Sequence, residues 1–176
     1  SLDKAQRAAE LCKADLASEL VGEFPELQGT IGKYYALAQG EDSEVAEAID
    51  EHWMPRNEKA PLPETQTGLL LSLADKIDNL ISCFSIGLKP SSSSDPYALR
   101  RQVLGMVKML ITGKYYLPLQ VLFKDCFEAF QQEFPSQDTD NKVLKDIESF
   151  IYNRIKTVFL DFGFSKDEIE ASLSKG

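Results

Sequence analysis

Apolar residues recur at three- and four-residue intervals along almost the whole chain, and this spacing restricts the fold more than any other feature. The last long predicted helix shows the pattern best, with one apolar face formed by Leu144, Ile147, Ile151, Ile155, Val158 and Phe162. No segment of useful length alternates apolar and polar residues, as a half-buried strand would. The sequence therefore predicts an all-α fold, built as a helical bundle.

Glycine, proline and capping residues interrupt this pattern and delimit the predicted helices. Asp95 followed by Pro96 favours a helix start, because aspartate caps free N–H groups and proline at the first helical position lacks one. Gly40 and Gly87 favour helix ends. The predicted helices run over about 2–21, 26–39 and 67–86, after Asp42 or Ser43, after Asp95, after Pro118, from Leu144 to Phe162, and over 166–173.

Charge is distributed unevenly along a chain whose formal net charge is −9. Residues 86–124 carry six Lys or Arg and one Asp or Glu, whereas the flanking segments are acidic. An acidic surface disfavours nucleic acid, so the basic segment alone suits phosphate contacts. Lys89, Arg101 and Lys108 are the candidate RNA-binding residues, since Arg101 and Lys108 are seven residues apart and share a helix face. A solvated basic face explains the same charges, and both interpretations stay open.

Two smaller charge patterns also admit more than one reading. Arg100 lies beside the apolar face of its helix, which favours an ion pair with Asp75 or Asp78 at a helix–helix seam, with direct RNA contact as the alternative. Asp15, Glu19 and Glu23 are four residues apart and would share a face of a continuous helix. Such a cluster can bind a cation, although a solvated face is the commoner outcome.

The cysteines and the hydropathy indicate an intracellular setting. Cys12, Cys83 and Cys126 are odd in number and fall on apolar helix faces, which predicts reduced, buried thiols. No apolar run is long enough to span a bilayer, and no signal segment opens the chain, so we expect a cytoplasmic location and no membrane partner. The chain lacks an initiator Met and begins inside a helical pattern, which suggests a fragment of a longer polypeptide.

Four sequence blocks follow one another in a characteristic order. The blocks are Asp15-Leu16 with Val21-Gly22-Glu23-Phe24-Pro25-Glu26-Leu27-Gln28-Gly29, then Ala74-Asp75-Lys76-Ile77-Asp78, Phe84-Ser85-Ile86-Gly87-Leu88 and Ser94-Asp95-Pro96-Tyr97-Ala98-Leu99-Arg100-Arg101. In this order they resemble the β-subunit of the bacterial-type glycyl-tRNA synthetase. The resemblance covers roughly residues 10–112, and none of its blocks is a catalytic signature by itself.

The resemblance implies a degenerate HD-type helical domain over residues 1–113, followed by a packed helical extension over 114–176. HD-type hydrolases bring histidines and aspartates together on metal ions that activate water. By this resemblance Gly22-Glu23 stands where the His-Asp doublet would be, Asp75 takes the place of the later aspartate, and His52 is the only histidine. We therefore expect a retained fold without metal ligands, without a catalytic residue and without a cofactor of its own.

The resemblance further implies a part of a glycine–tRNA ligase that supports tRNA binding during ATP-dependent charging with glycine. ATP, with Mg, would act in the α-subunit or α-like part of the parent enzyme. The expected partners are tRNA and that α part, with neither DNA nor a membrane. Two alternatives remain: a divergent HD-type phosphohydrolase, and a purely structural helical spacer. The organism, the oligomeric state, the tRNA region contacted and any fusion of α and β parts are left open.

Overall fold

The computed structural model describes residues 1–57, 59–91, 93–115, 117–135 and 141–173. Among these residues the backbone forms α-helices and two short 3-10 helices, Ala14–Ala17 and Pro25–Leu27, and no strand, which confirms the all-α prediction. The α-helices are α1 (Leu2–Leu11), α2 (Glu19–Glu23), α3 (Thr30–Ala38), α4 (Ser43–Glu51), α5 (Gln66–Ser85), α6 (Leu99–Thr112), α7 (Leu119–Glu133), α8 (Asn141–Asp161) and α9 (Lys166–Leu173).

The chain forms two compact units, Ser1–Asp75 and Lys76–Gly176, and the boundary falls within α5. In the first unit, α4 packs against both α1 and α3. Small side chains allow the three helices to approach closely, and Ala8, Ala46 and Ala48 are fully buried. The core of this unit comprises Ala8, Cys12, Ala36, Val45, Ala46, Ala48, Ile49 and Leu71.

In the second unit, α6 packs against α8, and α8 also contacts α7 and α9. Val103, Met106 and Met109 on α6 are completely buried, as is Ile147 on α8. Phe84, at the end of α5, packs against Phe150 with ring centroids 5.4 Å apart. The apolar face predicted for α8 is buried at Ile147, Ile151 and Val158, but α8 ends at Asp161, and Phe162 beyond it is 56% exposed.

The single helix predicted over 2–21 is wrong. α1 ends at Leu11, and a 3-10 turn at Ala14–Ala17 separates it from α2. The Ser18 hydroxyl donates to the Asp15 carbonyl at 2.7 Å and accepts from the N–H of Val21 at 3.2 Å, so Ser18 caps a new helix. The break also removes the shared carboxylate face, because Asp15 is 2% exposed whereas Glu19 and Glu23 lie in solvent.

Asp95 caps α6 as predicted, but the helix begins at Leu99 rather than at Pro96. The Asp95 carboxylate accepts the N–H groups of Leu99 at 2.9 Å and Arg100 at 3.0 Å. The intervening residues form a turn closed by the N–H of Ala98 and the carbonyl of Asp95, with Ala98 in the left-handed region at φ 53°. A cap four residues before the helix therefore replaces the expected adjacent cap.

Candidate functional site

The side chain of Lys89, the first candidate RNA-binding residue, contacts two other side chains of the second unit. Its Nζ lies 2.5 Å from Asp146 Oδ2 on α8 and 5.8 Å from the centroid of the Phe84 ring. The hydrogen bond from Lys89 holds the pKa of Asp146 below its ordinary value of 3.8. Both side chains of this pair remain more than a third exposed, so solvent screens the interaction and leaves the ammonium group accessible.

Arg101 and Lys108 lie on α6, which runs without interruption from Leu99 to Thr112. Arg101 is exposed and Lys108 is half-buried, whereas Val103 and Met106 on the same helix are completely buried. Seven residues correspond to about 10 Å along a helix axis and return to nearly the same face. Arg101 and Lys108 therefore lie on nearly the same face of α6, as their spacing predicts.

Arg100, the residue before Arg101, contacts the loop that precedes α6. Its Nη1 lies 4.0 Å from Asp95 Oδ2, and its Nη2 donates to the carbonyl of Ser91. Because the helix begins at Leu99, Arg100 stands in the first turn beside the capping carboxylate and reaches back to the preceding loop. Within the second unit Arg100 therefore pairs with Asp95 and not with Asp78. In the first unit the Asp75 carboxylate lies 2.6 Å from Lys13 Nζ.

The residues at the HD-type positions lie in three different environments. Glu23 is exposed at the end of α2. His52 is fully buried after α4, with its Nδ1 2.5 Å from the carbonyl oxygen of Ile49, and Asp75 bonds Lys13. Within the described parts of the chain, no group of three or more His, Cys, Asp or Glu residues is placed to hold a metal ion.

Asp15 is a buried residue whose role the sequence did not reveal. Its Oδ2 accepts the backbone N–H of Gly29 at 2.7 Å and that of Gly32 at 3.2 Å, at the start of α3. No side chain of α3 itself supplies this cap. The carboxylate needs close approach, because a Cβ added at Gly32 would lie 3.1 Å from Asp15 Oδ2 and 2.8 Å from Ile49 Cγ2. The two glycines near a predicted helix start were the available signal.

Glu51 caps the start of α5 in the same way as Asp15 caps α3. It is 3% exposed, and its carboxylate accepts the N–H of Glu64 at 2.7 Å, the N–H of Thr65 at 3.2 Å and the Thr65 hydroxyl. Thr65 in turn accepts the N–H of Gly68 at 3.0 Å. Both carboxylates thus hold helix starts from elsewhere in the first unit, where the helix dipole also favours negative charge.

All three cysteines are free thiols. Cys12 is buried as predicted, whereas Cys83 and Cys126 are only half-buried. Desolvation is the main cause that raises the pKa of each thiol above its ordinary value of 9.0. The described helices also include none that is long and apolar enough to cross a membrane.

Comparison with known proteins extends the resemblance to nearly the whole chain. The family model described as "Glycyl-tRNA synthetase beta subunit" matches residues 1–174. A curated glycine–tRNA ligase beta subunit from Syntrophomonas wolfei subsp. wolfei is 48% identical over 173 residues, which is 98% of this chain and 25% of the relative. The glycine–tRNA ligase beta subunit from Desulforamulus reducens is 47% identical over 171 residues, which is 97% of this chain and 25% of the relative.

A more distant relative gives the same picture. The glycine–tRNA ligase beta subunit of Methylobacillus flagellatus is 42% identical over 171 residues, 97% of this chain and 24% of the relative. The chain therefore spans about a quarter of the length of the curated relatives that it matches.

Proposed function

Because the chain belongs to the glycyl-tRNA synthetase beta-subunit family, we propose that it is part of a glycine–tRNA ligase and supports tRNA binding during ATP-dependent charging with glycine. The observation that carries the proposal is the match over residues 1–174 to proteins named for that activity. ATP and Mg act in the α-subunit or α-like part of the enzyme, the second partner of this chain after tRNA. The enzyme works in the cytoplasm.

Within this function, Lys89, Arg101 and Lys108 contact the phosphate backbone of tRNA. Phosphate contacts require accessible cations more than exact geometry, and they position the nucleic acid without reading its sequence. Exposed Arg101 and half-buried Lys108 on α6 meet this requirement. Lys89 meets it as well, because the exposed pair with Asp146 is worth at most about 1 kcal/mol and a phosphate can replace the carboxylate.

The acidic charge of the first unit supports a tRNA contact that is confined to residues 86–124. Residues 1–75 carry six Lys or Arg and fifteen Asp or Glu, so phosphate is repelled there.

We also propose that residues 1–113 are a degenerate HD-type domain and that 114–176 are a helical extension. The separate environments of Glu23, His52 and Asp75 give the phosphohydrolase alternative no support.

Site-specific crosslinking in the parent enzyme tests the proposal. A photoreactive phenylalanine replaces Arg101 in one protein and Glu19, which is also exposed but lies in the acidic unit, in a matched control. We expect ultraviolet light to join tRNA to position 101 and not to position 19. If position 101 fails to crosslink in an enzyme that still charges tRNA, the chain is a structural spacer.

A further inference from the structure

The turn before α6 carries an exposed aromatic side chain that the phosphate contacts of the proposed function do not use. Tyr97 is 50% exposed. Among the residues that the structure describes, its ring pairs with no other ring and with no cation, and its phenol forms no hydrogen bond. Tyr115, after the other end of α6, differs, because a Cβ added at Gly113 would overlap its ring. Tyr97 therefore offers a ligand an aromatic face that its own unit leaves uncovered.

Hydrogen bonds fix the backbone that presents this ring. The side chain of Gln102 donates from Nε2 to the carbonyl of Tyr97 at 3.0 Å, and its Oε1 accepts from Asn79 Nδ2 on α5 at 3.1 Å. The next residue, Ala98, has a φ of 53°, which is unfavourable for a residue with a Cβ and persists where surrounding contacts hold it. The turn is thus tied to both α5 and α6, and a ring held in place binds at a lower entropic cost.

The charge around Tyr97 suits a nucleic acid. The one acidic residue of segment 86–124 is Asp95. Its side chain is only 16% exposed, and its carboxylate accepts the N–H groups of Leu99 and Arg100. Its charge is therefore directed at the start of α6. Arg101 follows Tyr97 by four residues, which limits the separation of their Cα atoms to about 14 Å. A short strand of RNA can reach both side chains.

We propose that Tyr97 stacks on an unpaired base of the bound tRNA, beside the phosphate that Arg101 contacts. This inference rests on the proposed function and adds to it the kind of tRNA segment that meets α6. An aromatic ring stacks on bases of any sequence, but the base must be free of a double helix. Phosphate contacts carry no such requirement. The ring therefore selects a loop or a single-stranded end of tRNA.

Binding of labelled tRNA to the parent enzyme at several salt concentrations tests the proposal. We expect Tyr97→Ala to raise the dissociation constant at least about fivefold, the lower limit for stacking on one base. Tyr97→Phe keeps the ring and should stay within about twofold of the parent. Stacking releases no counterions, so Tyr97→Ala should leave the salt slope unchanged. The combined variant Lys89→Ala, Arg101→Ala and Lys108→Ala should lower that slope.

Two further variants control for fold and position. Tyr97→Leu keeps apolar bulk without a π face, and it should bind tRNA about as weakly as Tyr97→Ala. Tyr34→Ala removes a 61% exposed tyrosine from α3 in the acidic unit and should leave the affinity unchanged. If Tyr97→Ala does not fold, Tyr97→Leu decides. Tyr97→Leu with the affinity of the parent, or Tyr97→Phe as weak as Tyr97→Ala, overturns the proposal.

The combined variant separates the inference from the function on which it rests. Parental affinity in Tyr97→Ala beside weakened binding in the combined variant overturns the stacking and leaves the proposed function standing. Parental affinity in both overturns both. Weaker assembly of Tyr97→Ala with the α-subunit or α-like part, at unchanged tRNA affinity, assigns the ring to a protein interface and overturns the stacking.

A photoreactive phenylalanine at position 97 identifies the nucleotide that the ring meets. Ultraviolet light should join it to tRNA, and stops in reverse transcription should map the crosslink to an unpaired nucleotide. The same group at position 34 should give no crosslink. A crosslink from position 97 that is confined to base-paired nucleotides overturns the proposal. The absence of any crosslink from that position, in an enzyme that still charges tRNA, overturns it as well.

Discussion

Asp15 Oδ2 accepts the backbone N–H of Gly29 at 2.7 Å, across fourteen residues of chain. The bond joins the turn after α1 to the residue that precedes α3, where the free N–H groups of a helix concentrate positive charge. A second bond to Gly32 places the carboxylate over the first turn of α3. The arrangement explains why a helix without a side-chain cap of its own begins at Thr30, immediately after a residue with φ of 80°.

Replacing Asp15 by Ala should lower the free energy of unfolding by about 3 kcal/mol, because two N–H groups at a helix start lose a charged acceptor. The matched control is Glu19→Ala, an exposed carboxylate four residues further on, which should change it by no more than about 0.5 kcal/mol. Urea unfolding followed by circular dichroism measures both. Similar midpoints for the two variants would contradict the capping role.

Gly68→Ala should be among the most damaging single-methyl changes in the chain. A Cβ at Gly68 would overlap Glu51 Oε2 and lie 2.6 Å from the Glu51 Cβ, so the buried carboxylate would have to leave the start of α5. We expect a loss of about 3 kcal/mol, comparable to breaking a buried charged hydrogen bond.

Gly22→Ala provides the opposite control for that prediction. Gly22 lies within α2, has no atom within 4 Å of an added Cβ, and does not adopt a positive φ. Alanine there should stabilise by about 0.5 kcal/mol through its higher helix propensity. An unfolding midpoint of Gly68→Ala equal to or above that of Gly22→Ala would show that the overlap with Glu51 does not destabilise the fold.

The pH dependence of stability should report the Glu44 side chain. The Thr67 hydroxyl, at 2.6 Å, and then the Lys4 ammonium, at 2.9 Å, hold the pKa of Glu44 below its ordinary value of 4.5. A carboxyl whose pKa is lower in the folded state releases its proton more easily there. Its stabilisation is therefore complete above about pH 4.5 and is lost as the pH falls through the folded-state value.

Thr67→Val removes the larger of these two causes and preserves the shape of the side chain. The loss of stability between pH 7 and pH 3 should therefore be smaller in Thr67→Val than in the parent chain. Thr112→Val, an exposed threonine at the end of α6, is the control and should reproduce the parent profile. Urea midpoints at several pH values measure the difference, and identical profiles for all three proteins would rule out this role of Glu44.

The sequence could predict the features that depend on interactions between nearby residues. α5 and α9 were placed to within a residue because local periodicity and punctuation determine them. The break after Leu11 was missed because the apolar spacing continues through it, whereas the Ser18 cap of α2 and the bond from Gly29 to Asp15 accompany the interruption in the structure. The partner of Arg100 was missed because the helix begins at Leu99 rather than at Pro96, which changes the neighbours of the first turn.

The same distinction applies to function. The four blocks that resemble the family identified it because their order is a property of the sequence alone, and the match to residues 1–174 confirms that identification. The capping of α3 by Asp15 had no counterpart in the sequence analysis, because the carboxylate and the N–H groups of Gly29 and Gly32 belong to different elements. The phosphate contacts of Lys89, Arg101 and Lys108 stay a prediction.

That prediction can be tested with the parent enzyme carrying Lys89→Ala, Arg101→Ala and Lys108→Ala together. We expect the KM for tRNA to rise about fivefold or more at low salt, while glycine activation with ATP is unchanged. The increase should shrink as salt rises, because phosphate contacts act largely through counterion release, and each lost contact should lower the salt slope by about one. Single variants should show little, since each contact would be an ion pair at the protein surface.

A second triple variant separates these contacts from the loss of charge alone. Lys59, Lys145 and Lys166 are exposed and lie outside residues 86–124, and replacing them by Ala removes the same three charges. If long-range attraction by net charge were sufficient, both triple variants would raise the KM for tRNA equally. We expect the control to remain within about twofold of the parent, because phosphate contact requires cations at the interface itself. Normal charging at low salt by the first triple variant would make the basic segment a solvated helix face.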